Sequence, residues 1–388
     1  MLWSRALRAF ADGYVAVLLP VHLLALGYEA FGVGAISAAT LLGSAVLTLG
    51  LGLTAHRIRR RPALLAASLL MAATGLGFAA VQGFWPLMII AFVGTLNPSG
   101  GDVSVFLPLE HTVLAHSVAD EDRTSAFARY SFVGSIVGAL GSLAAGAVDW
   151  LAPFIGQEAV IAGLFALYGA LGVGSFLLYR GLSSTVEADR ATRPKPLGRS
   201  RRRVLGLAAL FSLDSFGGGF VLNALLALWL FERFGVDAAT AGAVFFATGL
   251  CAAASQFAAV PLARRFGLVN TMVFTHLPSN LLLVLTAFVP SLGAAFVLLV
   301  LRSLLSQMDV PTRSSYVMAV VEPDERPAAA SITAVPRSLA AAVAPLFSGW
   351  LLGVSAFGWP LIAAGLLTSV YDLLLLKLFA RVKPPEES

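Results

Sequence analysis

Two aspartates stand inside otherwise apolar stretches of the 388-residue chain, where an ionised carboxylate is costly. Asp214 has no basic residue within four positions and is followed by glycines at 217–219, so we expect an unpaired carboxylate beside a broken or closely packed helix. Asp12 lies four residues after Arg8, so an ion pair within one helix is the alternative to a functional role. Because a buried carboxylate can take up and release a proton, both aspartates are candidate proton-coupling residues.

Two further apolar stretches combine polar side chains with helix breakers or with deeply placed charge. The first contains Asn97, Ser99 and Asp102 around Pro98 and two glycines, which indicates either a functional break or a packing kink. In the second, Arg302 lies about nine residues into its span, roughly 13 Å deep at 1.5 Å per residue. An arginine at that depth either pairs with a carboxylate or binds an anionic group of a substrate. The candidate substrate-binding residues are Arg302, Asn97, Ser99, Asp102, Gln307 and Asn223.

The remaining ionisable residues favour structural roles and exclude several chemistries. Asp309 and Arg313 are spaced i,i+4, which predicts a structural ion pair. The histidines show no i,i+3 or i,i+4 pair and no His-Glu-x-x-His sequence, so we expect no metal site, and His22 serves either proton relay or helix packing. The single cysteine, Cys251, allows no disulfide, and no Gly-Lys-Ser/Thr phosphate loop exists. We therefore expect neither an enzyme nor a cofactor.

The elements that must position these residues are membrane spans. Hydrophobic residue types make up 58% of the chain and charged ones 12%, whereas a soluble domain carries roughly 25% charged residues. A helical span needs about 20 apolar residues, and such runs recur near 4–26, 32–54, 63–82, 85–115, 124–148, 159–180, 204–230, 238–262, 268–289, 293–319, 328–353 and 358–380. This predicts an all-α membrane protein of twelve transmembrane helices, which we expect to be a monomer in the lipid bilayer.

The basic residues lie almost entirely in the loops on one side of these spans. That side holds clusters at 57–61, 123–129, 199–203 and 264–265, whereas the opposite side holds only Arg233. By the positive-inside rule both termini are cytoplasmic, and we expect a bacterial plasma (inner) membrane. The same rule accounts for the net charge of +5, so no nucleic-acid partner is expected.

The chain repeats itself across a polar, proline-containing linker at 183–203. Arg123 and Arg326 follow similar acidic loops and are 203 positions apart, as are Gly146 and Gly349 in two similar stretches. Two parallel six-span copies are the arrangement of one large transporter class. The predicted domains are an N-terminal half at 1–182, a cytoplasmic basic linker at 183–203 and a C-terminal half at 204–388.

Two basic loops at equivalent positions of the repeat carry a recognisable signature. The loop at 52–61 reads Gly-Leu-Thr-Ala-His-Arg-Ile-Arg-Arg-Arg, and the loop at 260–267 reads Val-Pro-Leu-Ala-Arg-Arg-Phe-Gly. The first resembles the Gly-x-Leu-Ala-Asp-Arg-x-Gly-Arg-Arg loop of the major facilitator superfamily, and the chain is similar to that family over its whole length. His56 and Arg264 replace the aspartate of the signature, so its charge relay does not carry over. The resemblance places Asp372, in span 12, outside the cavity and in a structural role.

Span 5 bears on the direction of transport. The stretches at 141–146 and 344–349 are degenerate forms of a Gly-Pro-x-x-Gly-Gly element that drug/proton exporters of this family carry. The resemblance therefore implies export.

Acidic and basic clusters at the predicted cytoplasmic ends form a candidate gate. Its residues are Arg57, Arg60, Arg61, Asp120, Asp122, Arg264, Arg265, Asp324 and Glu325. Opposite charges on opposite halves attract when the halves close at the cytoplasm. The alternative is that the arginines only fix the topology.

Together these features predict a secondary active transporter that moves a small solute by alternating access, with proton-coupled export as the specific form. A metal-ion or anion facilitator of the same fold, without proton coupling, is the first alternative. A membrane scaffold or sensor without flux is the second. The expected partners are a small-molecule substrate, protons and the lipid bilayer.

Overall fold

The computed structural model describes residues 1–54, 59–99, 104–118, 123–182, 198, 200–322 and 325–379, and the regular secondary structure of these residues is entirely helical. The helices are α1 (Leu2–Ala25), α2 (Ala30–Thr54), α3 (Arg60–Ala80), α4 (Phe84–Val93), α5 (Phe106–Ser117), α6 (Arg123–Ala144), α7 (Ala147–Ile155), α8 (Gln157–Arg180), α9 (Arg201–Gly219), α10 (Asn223–Phe234), α11 (Ala238–Phe266), α12 (Leu268–Thr286), α13 (Leu292–Ser306), α14 (Asp309–Ala319), α15 (Arg326–Val354) and α16 (Trp359–Phe379).

These helices form the twelve predicted spans. Ten segments of the described chain are long and apolar enough to cross a membrane, and the shorter apolar helices α4 and α13 belong to the other two spans. Four spans consist of two helices each: α4 with α5, α6 with α7, α9 with α10, and α13 with α14. The all-α fold of twelve transmembrane helices is therefore confirmed.

Two of the four breaks within spans were expected from local sequence, whereas those between α6 and α7 and between α13 and α14 were not. Span 4 is non-helical around Pro98, and α9 ends at Gly219, both as expected. Span 10 was predicted to be one helix, and this was wrong, because α13 ends at Ser306 and α14 begins at Asp309. Pro311, in the first turn of α14, has no amide hydrogen to donate to the carbonyl of Gln307, so one helical hydrogen bond is lost here and the start of a new helix is favoured.

The chain divides into two compact units. Unit 1 comprises Met1–Thr192 with Leu222–Phe246, and unit 2 comprises Arg193–Val221 with Ala247–Ser388. The helix α10 and the start of α11, which the sequence places in the C-terminal half, thus pack within unit 1. The predicted half boundaries stay a prediction.

Small residues allow the helices of unit 1 to approach closely. A Cβ on Gly13 of α1 would collide with the backbone carbonyl of Gly138 on α6, and one on Gly75 of α3 would collide with the backbone of Gly169 on α8. Membrane helices associate through such small-residue contacts because lipid supplies no hydrophobic drive between them. The tight turn from α7 to α8 is a single residue, Gly156, with φ of 88°.

Unit 2 has its own apolar core and a similar use of glycine. Side chains of α9, α12, α14 and α16 form a buried cluster that includes Phe211, Met272, Tyr316 and Tyr371. Gly365 of α16 lies against the backbone of α12, where a Cβ would approach the carbonyl of Asn280 to 2.8 Å. This close approach brings polar side chains of α12 and α16 into contact.

The outer surface of the helices is apolar, as lipid contact requires. Phe154 is 83% exposed, and Trp85, Trp150 and Trp359 are also exposed near helix ends on the predicted non-cytoplasmic side. Aromatic rings at such positions are typical of the membrane interface.

Candidate functional site

Glu110 of α5 is a fully buried carboxylate that organises the polar centre of unit 1. It forms an ion pair with Arg8 of α1 and accepts hydrogen bonds from Tyr179 of α8 (2.5 Å), Ser4 of α1 (2.9 Å) and Tyr130 of α6. Four partners satisfy the lone pairs of the carboxylate, which is what a buried charge requires. The network therefore fixes α5 relative to α1, α6 and α8.

Asp12, one turn beyond Arg8, lies beside the non-helical part of span 4. The side-chain amide of Asn97 donates to Asp12 at 3.5 Å, and the Asn97 carbonyl accepts from the amide (3.1 Å) and hydroxyl (2.6 Å) of Ser99. Asp12 and Asn97 are buried, whereas Ser99 is half-buried. The structure thus brings together one proton-coupling candidate and two substrate-binding candidates.

The start of α10 joins the same part of unit 1. The backbone amide of Ala224 donates to the carbonyl of Pro98 at 3.0 Å, so the α10 N-terminus contacts the break in span 4. Asn223, the first residue of α10, is half-buried there. Asp102, the remaining candidate of span 4, lies outside the described residues.

Arg313 of α14 is shared by two carboxylates in unit 2. Its guanidinium is 2.8 Å from Asp214 of α9 and also pairs with Asp309 one turn earlier. The i,i+4 pair is confirmed, whereas the expectation that Asp214 is unpaired was wrong, because its partner comes from another helix. The rings of Phe211 and Tyr371 lie 5.2 and 5.9 Å from the Arg313 guanidinium carbon and shield the pair.

Arg302 and Gln307 lie at the end of α13. Arg302 is half-buried, makes no ion pair with a described carboxylate, and its buried Nε atom has no hydrogen-bond partner among the described residues. Its backbone carbonyl accepts from the Ser279 hydroxyl of α12 at 3.4 Å. Gln307 ends the helix and is half-buried. The substrate-binding role of Arg302 and Gln307 stays a prediction.

Arg337 of α15 is a candidate that the sequence reasoning missed. It lies roughly 16 Å from the start of the helix at 1.5 Å per residue, yet its side chain is exposed, and it interacts electrostatically with Arg313, Asp214 and Asp309. A charged group at that depth needs a water-filled cavity rather than lipid. The same depth rule would have identified Arg337 from the sequence.

The described gate residues have partners within their own units. In unit 1, Arg61 donates to the carbonyl of Arg180 at 2.6 Å. In unit 2, the Glu325 carboxylate accepts from the backbone amides of Gly198 (2.9 Å) and Ser200 (3.1 Å). Arg264 and Arg265 are exposed at the end of α11, and Arg60 begins α3. Arg57, Asp120, Asp122 and Asp324 lie outside the described residues, and the gate stays a prediction.

Comparison with known proteins identifies relatives over the full chain. The model of the family described as Major Facilitator Superfamily matches residues 1–213 and 207–388. An uncharacterized membrane protein of Saccharomyces cerevisiae is 24% identical over 420 residues, which cover 98% of this chain and 94% of the yeast protein.

Solved transporter structures share the fold. A bacterial homolog of the human lysosomal transporter Spinster aligns with a TM-score of 0.73 at 15% identity, over 98% of this chain and 97% of that one. The nucleoside transporter NupG aligns with a TM-score of 0.72 at 14% identity, over 97% of each chain. The human organic anion transporter MFSD10 aligns with a TM-score of 0.63 at 19% identity, over 96% of this chain and 97% of that one. At these identities the likeness concerns the fold alone.

Proposed function

The chain belongs to the major facilitator superfamily, and we propose that it is a proton-coupled secondary transporter of a small anionic solute. Secondary transport by alternating access, with the solute bound near the middle of the membrane, follows from the family and its fold. The proton, the charge of the solute and the direction of transport are the parts that we propose. We also propose the location predicted from the loops, a bacterial inner membrane with cytoplasmic termini.

The observation that carries the proposal is the sharing of Arg313 by Asp214 and Asp309, within electrostatic range of the exposed Arg337. Protonation of Asp214 would neutralise one of the two carboxylates that Arg313 binds. The positive charges of Arg313 and of the exposed Arg337 of α15 would then be only partly compensated. An anion would then bind more tightly, so proton and solute favour each other. Arg302, which forms no ion pair with a described carboxylate, supplies a second cationic group in unit 2.

Because the proton and the anion favour each other's binding, we expect them to move in the same direction. The span-5 glycine element instead predicts exchange and export. Exchange requires a solute that competes with the proton, as a cation would at Asp214. The sign of the response to a pH gradient separates the two directions. Among the described residues no group of three or more His, Cys, Asp or Glu residues could hold a metal ion. A metal-ion or anion facilitator of the same fold without proton coupling stays the alternative.

The test is Asp214→Asn in proteoliposomes. A thermal-shift screen of small organic anions first identifies a bound solute, whose flux is then measured with and without a pH gradient. The mutant should lose accumulation driven by the gradient but keep binding and counterflow, because Arg313 retains Asp309 as its partner. Uphill transport at the wild-type rate in the mutant would remove Asp214 from coupling.

Asp237→Asn is the matched control. Asp237 lies between α10 and α11, where hydrogen bonds from Thr240 hold the pKa of its carboxyl below the usual range. The residue is therefore ionised at working pH and asparagine can replace its helix-capping contact. Flux in this variant should equal that of the wild type.

A further inference from the structure

A second cluster of titratable groups lies between α12 and α16 in unit 2. His276 Nδ1 is 3.1 Å from a carboxylate oxygen of Asp372, and the side-chain amide of Asn280 donates to the other oxygen at 2.9 Å. The Asp372 side chain is 0% exposed, whereas that of His276 keeps 12% exposure. The sequence had assigned Asp372 a structural role, and neither residue belongs to the Asp214 pair.

The chemistry of this pair is that of a proton site. The contact between Nδ1 and the carboxylate oxygen is a hydrogen bond only if one proton lies between the two atoms. The imidazole can bind another proton at Nε2, and the adjacent carboxylate stabilises the resulting cation. Histidine is the side chain whose unperturbed protonation changes between about pH 5 and 8. The ring is the exposed part of the pair, so we expect protons to enter and leave through His276.

The charged groups in and around the His276–Asp372 pair carry one more negative charge than positive charges. The charged and titratable groups on the helices packed around it are Asp214 of α9, Asp309 and Arg313 of α14, Arg337 of α15, and Tyr371 of α16. With Asp372, three carboxylates face two arginines. Arg302 of α13 is adjacent through its backbone contact with Ser279 but makes no ion pair with Asp372. An imidazolium at His276 would therefore neutralise a cluster that is otherwise negative within the membrane, where net charge is costly.

Tyr371 connects this pair to the ion pair of Asp214. Its ring centroid is 6.3 Å from the ring of His276 and 5.9 Å from the Arg313 guanidinium carbon, and Arg313 in turn contacts Asp214. The Tyr371 hydroxyl is buried and has no hydrogen-bond partner among the described residues. It can therefore donate to or accept from a group that changes its protonation nearby.

We propose that His276 and Asp372 form a proton-binding site of this protein, distinct from Asp214, and that the charge of this site sets how strongly Arg313 holds Asp214. Proton binding itself stands on the contacts within unit 2. Its coupling to transport rests on the proposed function. With the proton bound, the cluster is neutral and Arg313 is held by both carboxylates. When the proton leaves, the negative charge of Asp372 is no longer neutralised. It then attracts Arg313 in competition with Asp214.

The first experiment measures the protonation of His276 in the full-length protein in lipid nanodiscs, with protons as the only ligand. Nitrogen-15 histidine NMR resolves the five histidines, and the signal lost in His276→Gln identifies the residue. We expect this signal to change from the neutral to the doubly protonated form as the pH falls. In Asp372→Asn the proton should bind about tenfold more weakly or worse, as expected on loss of an opposite charge at this distance.

His22→Gln is the matched control. His22 is a buried histidine of α1 that packs against Phe165 at 5.0 Å between ring centroids, and its Nε2 has no hydrogen-bond partner among the described residues. The His276 titration should be unchanged in this variant. If Asp372→Asn does not fold, Asn280→Ala tests the carboxylate in the opposite direction. It removes an amide that donates to Asp372 and lies 3.5 Å from His276 Nδ1, so the less stabilised carboxylate should make the pair bind its proton more tightly. The proposal is overturned by a His276 signal that does not titrate. It is also overturned by a titration that stays as in the wild type in Asp372→Asn, or in Asn280→Ala where Asp372→Asn does not fold.

The second experiment separates the site from the transport mechanism. Flux of the anion identified by screening is measured with a pH gradient in wild type and in His276→Gln. Loss of the gradient-driven part in the variant supports coupling, and an unchanged gradient-driven part overturns coupling while leaving proton binding intact. If the wild type shows no response to the gradient although His276 titrates, the proposed function fails and the proton-binding site stands.

Discussion

A buried ion pair joins the first span to the fourth in each unit, with the charges reversed. In unit 1 it connects Arg8 of α1 to Glu110 of α5, and in unit 2 it connects Asp214 of α9 to Arg313 of α14. Glu110 and Arg313 are 203 positions apart, the offset that relates the two repeats. Both copies thus have an ion pair between these two spans, with Glu110 and Arg313 at equivalent positions and Arg8 and Asp214 about one helical turn apart in the alignment of the repeats.

Glu110→Leu should destabilise the protein by about 3–5 kcal/mol, because it leaves the Arg8 guanidinium buried without its partner. Tyr179→Phe, which removes one hydrogen bond to the same carboxylate, should cost only about 0.5–1.5 kcal/mol. Denaturant unfolding of the purified protein in detergent micelles gives both values. Equal costs for the two variants would show that the charge of Glu110 contributes little.

Arg302→Ala should weaken binding of the anionic solute by about 1.5–3 kcal/mol, the contribution of a hydrogen bond to a charged group. Arg302→Lys should recover part of this loss, because it keeps the charge but not the planar fork of donors. Isothermal titration of the solute found by screening measures the affinities. Arg129→Ala, at an exposed arginine of α6, is the control. Unchanged affinity in a folded Arg302→Ala protein would mark this arginine as structural.

The contacts of these residues were predictable where both partners lie close together in the sequence. They were not predictable where the partners lie on different helices. The spacing of Asp309 and Arg313 predicts their ion pair, since both lie on one helix. The contact of Asp214 with Arg313 joins residues about a hundred positions apart, and no periodicity encodes which buried charges meet. Glu110 and His276 were overlooked for the same reason, because their partners lie on other helices.

At the scale of elements, helix ends and close approaches decide where polar side chains lie. The bounds of the spans were predictable because a run of apolar residues about 20 long specifies a membrane helix. The break at Gly219 was predictable from three successive glycines, whereas the break at Gln307 required attention to a single proline two residues into the next helix. Glycines that end a helix and glycines that permit packing look identical in sequence, and the structure separates them.

The three glycines of α9 should respond differently to alanine. A Cβ on Gly217 would approach Thr368 to 2.8 Å and one on Gly219 would approach the carbonyl of Ala341 to 2.6 Å, whereas one on Gly218 meets nothing within 4 Å. Gly219→Ala should therefore destabilise by about 1–3 kcal/mol, and Gly218→Ala should be neutral or stabilise by up to about 1 kcal/mol. Thermal unfolding of the two variants side by side checks the difference. Equal stability would contradict the packing of α9 against α15.

At the scale of the whole molecule, the charges at the predicted cytoplasmic ends could bias the balance between inward-open and outward-open states. The N-terminal half carries the basic 57–61 loop, and the C-terminal half carries the acidic loop that precedes α15. An exposed ion pair contributes only about 0.2–1 kcal/mol, so several must act together to shift a two-state balance. Two of these charged residues also form hydrogen bonds within their own units. Arg61 donates to the carbonyl of Arg180 at the end of α8, and Glu325 accepts from the amides of Gly198 and Ser200.

The sequence suggests reversal of both acids, as Asp324→Lys with Glu325→Lys, but the second change would also remove hydrogen bonds within unit 2. Asp324→Lys alone is the cleaner reversal, and it should favour the inward-open state because it turns an attraction to the basic loop into a repulsion. Adding Arg60→Glu should partly restore the balance. Glu325→Gln controls for the local contacts.

Spin labels measure the effect across the predicted cytoplasmic side. Cys251 is the single cysteine, so Cys251→Ala gives a background in which Gly181→Cys and Asn270→Cys, both at exposed positions, can be labelled as a pair. Asp324→Lys should shift the distance distribution towards longer values, and the compensating change should shift it back. Raising the salt concentration should shrink both shifts, since exposed charges are screened beyond about 8–10 Å at physiological ionic strength. If the distributions agree in all proteins, the arginines of the 57–61 loop fix only the topology, and the conformational balance must be set by the buried charges within each unit.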